Sequence, residues 1–242
     1  MPSTHPLLQD THTAALLRAS VLFSGLSDAD LEFALQLMQA EERRYTRGEI
    51  LHRAGEPISF FGLVLDGSVG VYADDLDGNQ VLMASVSAGE TFGESLSYLA
   101  HPAAPVYMLA YDDARVLLLA TAPLRHPTLD ARVFVMRDRF AAMLAARALA
   151  LNDRIQVLAK HTLREKLLTF FAQNLSKTNS TTFTLPYDRA ALALYLGCDR
   201  SALSRELSLM QREGIIEFYR NSFRILHTSR CNCNENAAKD GV

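Results

Sequence analysis

The chain has 242 residues, of which 49% are hydrophobic and 21% charged, and it carries a formal net charge of −3. This composition is that of a globular protein with a buried core, and it excludes a disordered or collagen-like chain. No apolar run approaches the ~18 residues of a membrane span, and no N-terminal segment resembles a secretory signal. Three cysteines are too few for a disulfide framework, so we expect a cytoplasmic protein without a membrane partner.

The first predicted elements are helical. Between residues 14 and 40, apolar residues such as Leu31, Ala34 and Leu35 recur at intervals of three and four, the spacing of a buried helix face. Ser27 suits the N-cap of a helix, with Asp30 three residues later.

The pattern changes to strands from about residue 41 to 120. Short apolar or alternating runs lie between glycines, at residues 50–52, 60–65, 69–72, 80–86, 106–110 and 115–120. Asp77-Gly78 between two such runs is a hairpin signal. Strands spaced in this way predict a small antiparallel barrel or jelly roll.

A long helix is predicted from about residue 128 to 159, without an internal glycine or proline. Its apolar residues follow a 3-4-3-4-3 spacing, which is typical of a helix that pairs with a copy of itself. The alternative, a helix packed only on its own domain, stays open. The candidate dimer residues are Ala141, Leu144, Ala148, Leu151, Ile155 and Leu158.

The C-terminal part predicts a helix over about 161–175, a polar loop at 177–182 and then two short amphipathic helices within 186–210. Gly197-Cys198-Asp199 joins these two helices, which is typical of a helix-turn-helix. Residues 214–226 predict a hairpin that turns near Arg220-Asn221, the position of a wing. Residues 229–242 are polar and predict a disordered tail.

Charge is distributed unevenly along the chain. Residues 161–230 hold ten lysines and arginines against six acids, a surplus of four positive charges that leaves −7 for the rest. A basic end on an acidic body favours contact with phosphate at that end alone.

Several motifs, in their order and spacing, resemble the Crp/Fnr superfamily of bacterial transcription regulators (the cyclic-AMP receptor protein and fumarate-nitrate reductase regulator type). The resemblance covers about residues 18–226. It rests on residues 47–51, Gly55-Glu56, 65–69, Gly89-Glu-Thr-Phe-Gly-Glu94, 192–205 and 212–216.

The resemblance implies an α+β fold: an effector-sensing β-roll of the cyclic-nucleotide-binding jelly-roll type with N-terminal helices over 14–125, a dimerisation helix over 128–160, a winged helix-turn-helix over 161–228 and the tail. It implies that the protein is an allosteric homodimer and not an enzyme. The dimer would bind double-stranded DNA at an inverted repeat, with RNA polymerase as a further partner. The effector in the β-roll would change how the two DNA-reading heads are arranged.

The resemblance places the DNA-reading residues at Arg200, Ser201, Ser204 and Arg205, with Arg189 as a further candidate. Arg205 is the best candidate for a bidentate contact to guanine, and Arg200 could reach guanine or phosphate. Many family members carry glutamate where this chain has Ser201, so we expect a different half-site. The alternative for Arg200 and Arg205 is a solvated surface arginine.

The effector of this chain is not expected to be cyclic AMP. Relatives that bind cyclic nucleotides use a glutamate, matched by Glu94, and an arginine about ten residues later, where this chain has Ala104-Pro105. No arginine stands between 54 and 114, and a buried phosphate without a cation is costly. The expected pocket is therefore apolar, with candidates Phe92, Glu94, Leu96, Tyr98, Val106 and Met108.

The cysteines and histidines bear on iron-sulfur and haem sensing. No cysteine precedes Cys198, which disfavours an iron-sulfur cluster, whereas haem needs only an apolar pocket and an axial ligand such as His126 or His161. The ligand positions of the carbon-monoxide-sensing relatives fall on residues 94–97, so their ligation scheme is absent. The position of Cys198 in the predicted turn favours the role of a small buried residue over that of a redox sensor. Cys231 and Cys233 alone would make a poor metal site.

Two other classes of protein remain as alternatives. A metal-dependent jelly-roll enzyme of the cupin type needs clustered histidines, whereas His52 and His101 stand alone in the predicted roll. A ligand-binding module that regulates a partner protein would leave the basic winged helix without a purpose. A steep salt dependence of binding to random duplex would separate a DNA binder from such a module.

Overall fold

The structure, a computed structural model, describes residues 5–74, 80–178, 180–185 and 189–226. The chain divides into two compact units, residues 1–146 and 147–242. The hairpin signal Asp77-Gly78, the tail 229–242 and its two cysteines lie outside the described residues. Along the described ranges, no helix is long and apolar enough to cross a membrane.

The predicted N-terminal helical region forms two helices, α1 (Thr11–Ala19) and α2 (Asp28–Leu37), after a 3-10 turn at Pro6–Leu8. The predicted cap of α2 is confirmed, because the Ser27 side chain accepts a hydrogen bond from the Asp30 backbone N–H at 3.2 Å. Residues 20–27 separate the two helices, whereas the spacing of apolar residues had indicated one helical region over 14–40.

Ion pairs connect the N-terminal end of α1 with strands of the first unit. The Asp10 side chain caps α1 and accepts hydrogen bonds from the Thr13 hydroxyl at 2.6 Å and from Arg115 at 3.1 Å. Arg115 also donates to Glu42 at 2.9 Å. The Thr13 and Arg115 hydrogen bonds hold the pKa of Asp10 at about 2, below its usual 3.8.

The predicted antiparallel roll is confirmed as two four-stranded antiparallel sheets. One sheet has the order β1-β8-β3-β6 and the other β2-β7-β4-β5. The strands are β1 (Glu41–Tyr45), β2 (Ile50–His52), β3 (Phe60–Asp66), β4 (Ser68–Asp74), β5 (Gln80–Ser87), β6 (Thr91–Phe92), β7 (Tyr107–Ala110) and β8 (Ala114–Ala120).

Two apolar clusters fill the first unit. One cluster, which includes Val64, Val116 and Met108, draws its residues from both sheets. The other packs α1 and α2 with β3 and β8, through residues such as Phe23, Phe61 and Leu119. Two short helices that the sequence pattern did not predict, α3 (Glu94–Tyr98) and α4 (Ala122–Arg125), lie in this unit.

The predicted long helix is α5 (Ala131–Leu158), 28 residues and about 42 Å long. Its first half buries Val133, Met136, Phe140 and Met143, at intervals of three and four. The last three of these side chains belong to the α1–α2 cluster. Near its end, Val157 joins the core of the second unit.

After the end of α5, the second unit contains α6 (Leu163–Thr178), β9 (Thr182–Thr184), α7 (Arg189–Leu196), α8 (Arg200–Arg212), β10 (Ile216–Tyr219) and β11 (Ser222–Ile225). The three strands form one antiparallel sheet, in the order β10-β11-β9. The predicted loop over 177–182 is shorter than expected, since α6 ends at 178 and β9 begins at 182.

Candidate nucleic-acid interface and effector site

The helix-turn-helix forms as its pattern predicts. Gly197 lies in the left-handed region with φ +61°, a conformation that glycine adopts without strain, and it ends α7. Lys166 of α6 donates a hydrogen bond to the Leu196 carbonyl at 3.1 Å, which satisfies the end of that helix. Five apolar residues of α7 and α8 are buried at 0–1% exposure: Leu192, Leu196, Leu203, Leu207 and Met210.

Burial of one face of α8 leaves the opposite face exposed. Arg200, Ser201, Ser204 and Arg205 all have exposed side chains in the first two turns of this helix. Within the described part of the chain, no carboxylate pairs with Arg200 or Arg205. The structure therefore brings the four predicted reading residues together on one open surface, with both guanidinium groups free to take up an anion or a base edge.

Ser204 is less free than its exposure suggests. Its hydroxyl donates a hydrogen bond to the Arg200 carbonyl at 2.9 Å. Oγ can therefore accept a hydrogen bond without any change, but donating one requires the hydroxyl to leave this carbonyl.

The fifth predicted residue, Arg189, lies in a different environment. Its guanidinium carbon stands 4.9 Å from the ring centroids of both Phe218 and Phe223, a cation–π arrangement. Burial lowers the pKa of Arg189. The side chain thus packs the start of α7 onto the hairpin instead of joining the exposed face of α8.

The hairpin that follows α8 turns at Arg220-Asn221, as its sequence predicts. Arg220 has φ +51°, and its guanidinium lies 5.5 Å from the ring of Tyr219, which is 74% exposed. This tip carries an exposed cation and an exposed aromatic ring, a combination suited to a sugar-phosphate surface, and the sequence had indicated only its position.

The predicted dimer residues form an apolar seam on α5. Ala141, Ala148, Leu151, Ile155 and Leu158 are exposed, whereas Leu144 is half-buried and packs against the core of the first unit. Leu151 and Ile155 are 59% and 55% exposed in the single chain. Burial of such exposed apolar side chains against a partner helix lowers the free energy of association.

The predicted effector residues lie in two places. Phe92, Leu96, Val106 and Met108 belong to the cluster between the sheets, whereas Tyr98 packs with the α1–α2 cluster and stacks on Phe140 at 5.1 Å. Phe92 and Met108 are each 1% exposed.

Phe92 also fills the roll from within. A Cβ at Gly62 would overlap its ring, so the phenyl group occupies the space that a side chain would take on the neighbouring strand. A ligand among these residues would need the ring to move, because cores of this density hold few voids.

Glu94 is 4% exposed and begins α3, after Gly93 with φ +80°. Its carboxylate accepts a hydrogen bond from the Thr91 hydroxyl, close by in the chain. That bond engages the carboxylate within the protein, which agrees with a structural role.

The place of the expected phosphate-binding cation is apolar. Ala104 is fully buried, and its N–H and carbonyl bond to the backbone of Glu56 and Gly55 at 3.0 and 2.8 Å. No lysine or arginine occurs between Arg53 and Arg115, and Arg115 is engaged by Glu42 and Asp10.

The candidate histidines differ in their surroundings. His126 is exposed and lines an open pocket of about 440 Å³, whose walls are both apolar, as at Leu37 and Val133, and polar, as at Gln39 and Thr128. His161 is exposed just before α6. His52 is buried, its Nε2 has no hydrogen-bond partner among the described residues, and burial lowers its pKa. The described residues include no group of three or more His, Cys, Asp or Glu that could hold a metal ion.

Cys198 is half-buried in the turn and packs against the core of the second unit. Burial raises the pKa of its thiol, so the reactive thiolate is disfavoured at neutral pH. This placement agrees with a packing residue.

Comparison with known proteins assigns both units. A cyclic nucleotide-binding domain model matches residues 42–126, and a Crp-like helix-turn-helix domain model matches residues 163–230. The cyclic AMP receptor protein of Thermus thermophilus is 25% identical over 200 residues, which cover 83% of this chain and 89% of that protein.

Solved structures share the fold. A CooA mutant from Carboxydothermus hydrogenoformans is 20% identical with a TM-score of 0.56, over 81% of this chain and 88% of that one. FixK2 from Bradyrhizobium japonicum is 24% identical with a TM-score of 0.51, over 79% of this chain and 95% of that one. With its sensor-type roll, long helix and winged helix-turn-helix, the chain belongs to the Crp/Fnr superfamily of DNA-binding transcription regulators.

Proposed function

We propose that this regulator is a homodimer that reads an inverted DNA repeat with its paired α8 helices, under the control of an effector other than cyclic AMP. The exposed face of Arg200, Ser201, Ser204 and Arg205 above a fully buried apolar face carries the proposal. A helix with this division can enter the major groove while its core side keeps the domain folded.

The roles of the reading residues follow from their side chains. Arg205 would form the bidentate contact to guanine O6 and N7, and Arg200, at the first position of α8, would contact guanine or phosphate. Ser201 has no carboxylate to accept a hydrogen bond from cytosine N4. Ser204 would accept from a base edge while its own proton stays on the Arg200 carbonyl.

The seam of α5 supports the dimer, and the dimer in turn sets the form of the operator. Two α8 helices related by a two-fold axis would read half-sites about 34 Å apart, one turn of DNA. RNA polymerase is the proposed further partner through which the bound regulator acts.

The apolar environment of Ala104 supports an effector other than cyclic AMP. A cyclic phosphate placed there would lose its hydration without gaining a cation. Cyclic AMP is therefore expected to leave the affinity for the operator unchanged, and tightening of binding by cyclic AMP would contradict this part of the proposal.

Replacement of Arg205 tests the reading role. An operator is first selected from random duplexes, and fluorescence anisotropy then gives the Kd for it and for a scrambled duplex. Arg205→Ala should cost about 1–3 kcal/mol per half-site of discrimination. Arg212→Ala, which removes the same charge from the last turn of α8, is the matched control and should weaken both duplexes alike. Full discrimination by Arg205→Ala would contradict the role.

A haem-based sensor of nitric oxide or carbon monoxide is a second candidate, favoured by the position of His126 at a pocket that also has apolar side chains, Leu37 and Val133, in its wall. In this pocket His126 would hold the haem iron and Leu37 and Val133 would contact the porphyrin, with the polar side chains of Gln39 and Thr128 also at its wall. Bound haem would supply the gas-binding iron.

An absorption spectrum of protein supplied with haem tests this candidate. A Soret band that shifts with either gas, and that His126→Ala weakens while His161→Ala does not, would support it. The lack of such a band would exclude it.

A further inference from the structure

Two acidic side chains, Glu206 of α8 and Glu213 at the C-cap of α8, converge on one arginine of α6. Arg164 donates from Nε to Glu206 at 2.6 Å, and from Nη1 and Nη2 to the two oxygens of Glu213 at 2.8 and 2.9 Å. We propose that these three residues, the α6–α8 clamp, position the recognition helix, and that Arg164 thereby sets how precisely Arg205 reads a base. The proposal rests on the proposed DNA-reading role of α8.

The geometry of the clamp restricts α8 in two ways. Glu206 and Glu213 are seven residues apart, about two helical turns, so a single guanidinium bound to both fixes the helix along its axis as well as around it. Because successive side chains are about 100° apart, turning Glu206 towards α6 leaves Arg205 facing outwards. Rotation of α8 that would move Arg205 must therefore break the clamp.

The clamp differs from an ordinary surface ion pair. The side chains of Arg164, Glu206 and Glu213 are only 35%, 21% and 34% exposed. By contrast, Arg224 and Glu217 on the hairpin are 62% and 56% exposed, with one contact of 3.5 Å. Bidentate pairing in partly desolvated surroundings is stronger and more directional than a solvated pair. The hydrogen bonds to Glu213 and Glu206 raise the pKa of Arg164.

The clamp also places two carboxylates on the helix that approaches phosphate. Arg164 offsets one of these two charges, so a variant without it would repel DNA more strongly, and a variant without the acids would repel it less. Position and charge thus predict different results, which allows an experiment to separate them.

The experiment compares two variants of the full-length protein that change the charge in opposite directions, Arg164→Gln and Glu206→Gln/Glu213→Gln. Anisotropy gives the Kd for the selected operator and for a scrambled duplex, at several salt concentrations. Circular dichroism sets a temperature at which each variant is folded. Arg43→Gln removes an exposed cation from the first unit and serves as the matched control.

Positioning predicts that both variants lower the ratio of scrambled to operator Kd by about tenfold or more, the scale of one lost bidentate base contact. Affinity for the scrambled duplex should fall in Arg164→Gln and rise in the double variant, while Arg43→Gln keeps the wild-type ratio. An unchanged ratio in either variant would overturn the proposal.

Glu213→Gln alone keeps the test decisive if Arg164→Gln does not fold. It removes the charge at the exposed end of α8 while the Glu206 contact to Arg164 remains, and it should lower the ratio in the same direction. An unchanged ratio in this variant would also refute positioning. If the wild-type protein itself showed no preference for any selected duplex, the DNA-reading proposal would fail instead.

Discussion

The exposed seam of α5 leads to a quantitative prediction for the dimer. Leu151 and Ile155 are 59% and 55% exposed in the single chain. Full burial of such a side chain contributes about 1.5–3 kcal/mol, so burial of the exposed half contributes about 1 kcal/mol. Leu151→Ala/Ile155→Ala alters four side chains per dimer and should cost about 4 kcal/mol, which weakens the dimer about 10³-fold.

Sedimentation equilibrium measures this dissociation constant directly. Leu149→Ala is the matched control, because Leu149 is 67% exposed on the same helix but lies outside the seam. It should leave the dimer unchanged. An unchanged constant in the double variant, or equal weakening by Leu149→Ala, would refute the assignment of the seam.

Two further predictions concern stability. The Thr13 and Arg115 hydrogen bonds lower the pKa of Asp10 from 3.8 to about 2, so the stability that they contribute is present above pH 3.8 and lost as the pH falls towards 2. Urea unfolding across this range should therefore show a smaller acid-induced loss of unfolding free energy in Asp10→Asn than in the wild type. An identical pH profile in the two proteins would contradict this prediction. Leu207→Ala truncates a side chain with 0% exposure and should lower the free energy of unfolding by about 2–5 kcal/mol, whereas Leu209→Ala, at 37% exposure, should lower it far less. Similar losses of unfolding free energy for both variants in denaturant titrations would contradict the packing of α8.

The helix-turn-helix could be predicted from local spacing. Its buried residues recur at helical intervals, and Gly197 and the residues after it mark the turn, so that the exposed face of α8 follows directly from periodicity. The wing turn at Arg220-Asn221 is likewise a local signal. For such elements the sequence contains the determinants within about ten residues of each other.

Other features depend on contacts that local patterns do not show. The helices α3 and α4 have five and four residues, too few for a periodic signal. The α6–α8 clamp joins residues 42 and 49 positions apart in the chain. Within α3, Leu96 packs with the cluster between the sheets and Tyr98 with the α1–α2 cluster, so two side chains of one short helix contact different clusters.

Arg189 shows how tertiary packing can change the role of a charged residue. Arg189 is predicted only as a further DNA-binding candidate, and two phenylalanines of the hairpin lie against its guanidinium. The aromatic partners come from residues 218 and 223, which no local pattern connects with position 189. The DNA contact of Arg189 stays a prediction, whereas its packing against these two rings could not be foreseen from its charge.

Selection of bound duplexes from a random library, followed by sequencing, tests the central claim most directly. The full-length protein is used alone and with the small-molecule fraction of a bacterial lysate, so that an effector is available. The account predicts enrichment of an inverted repeat whose half-site centres lie about 10–10.5 base pairs apart, with guanine at the Arg205 position. Failure to enrich any motif under both conditions, or enrichment of a single unrepeated site, would contradict it.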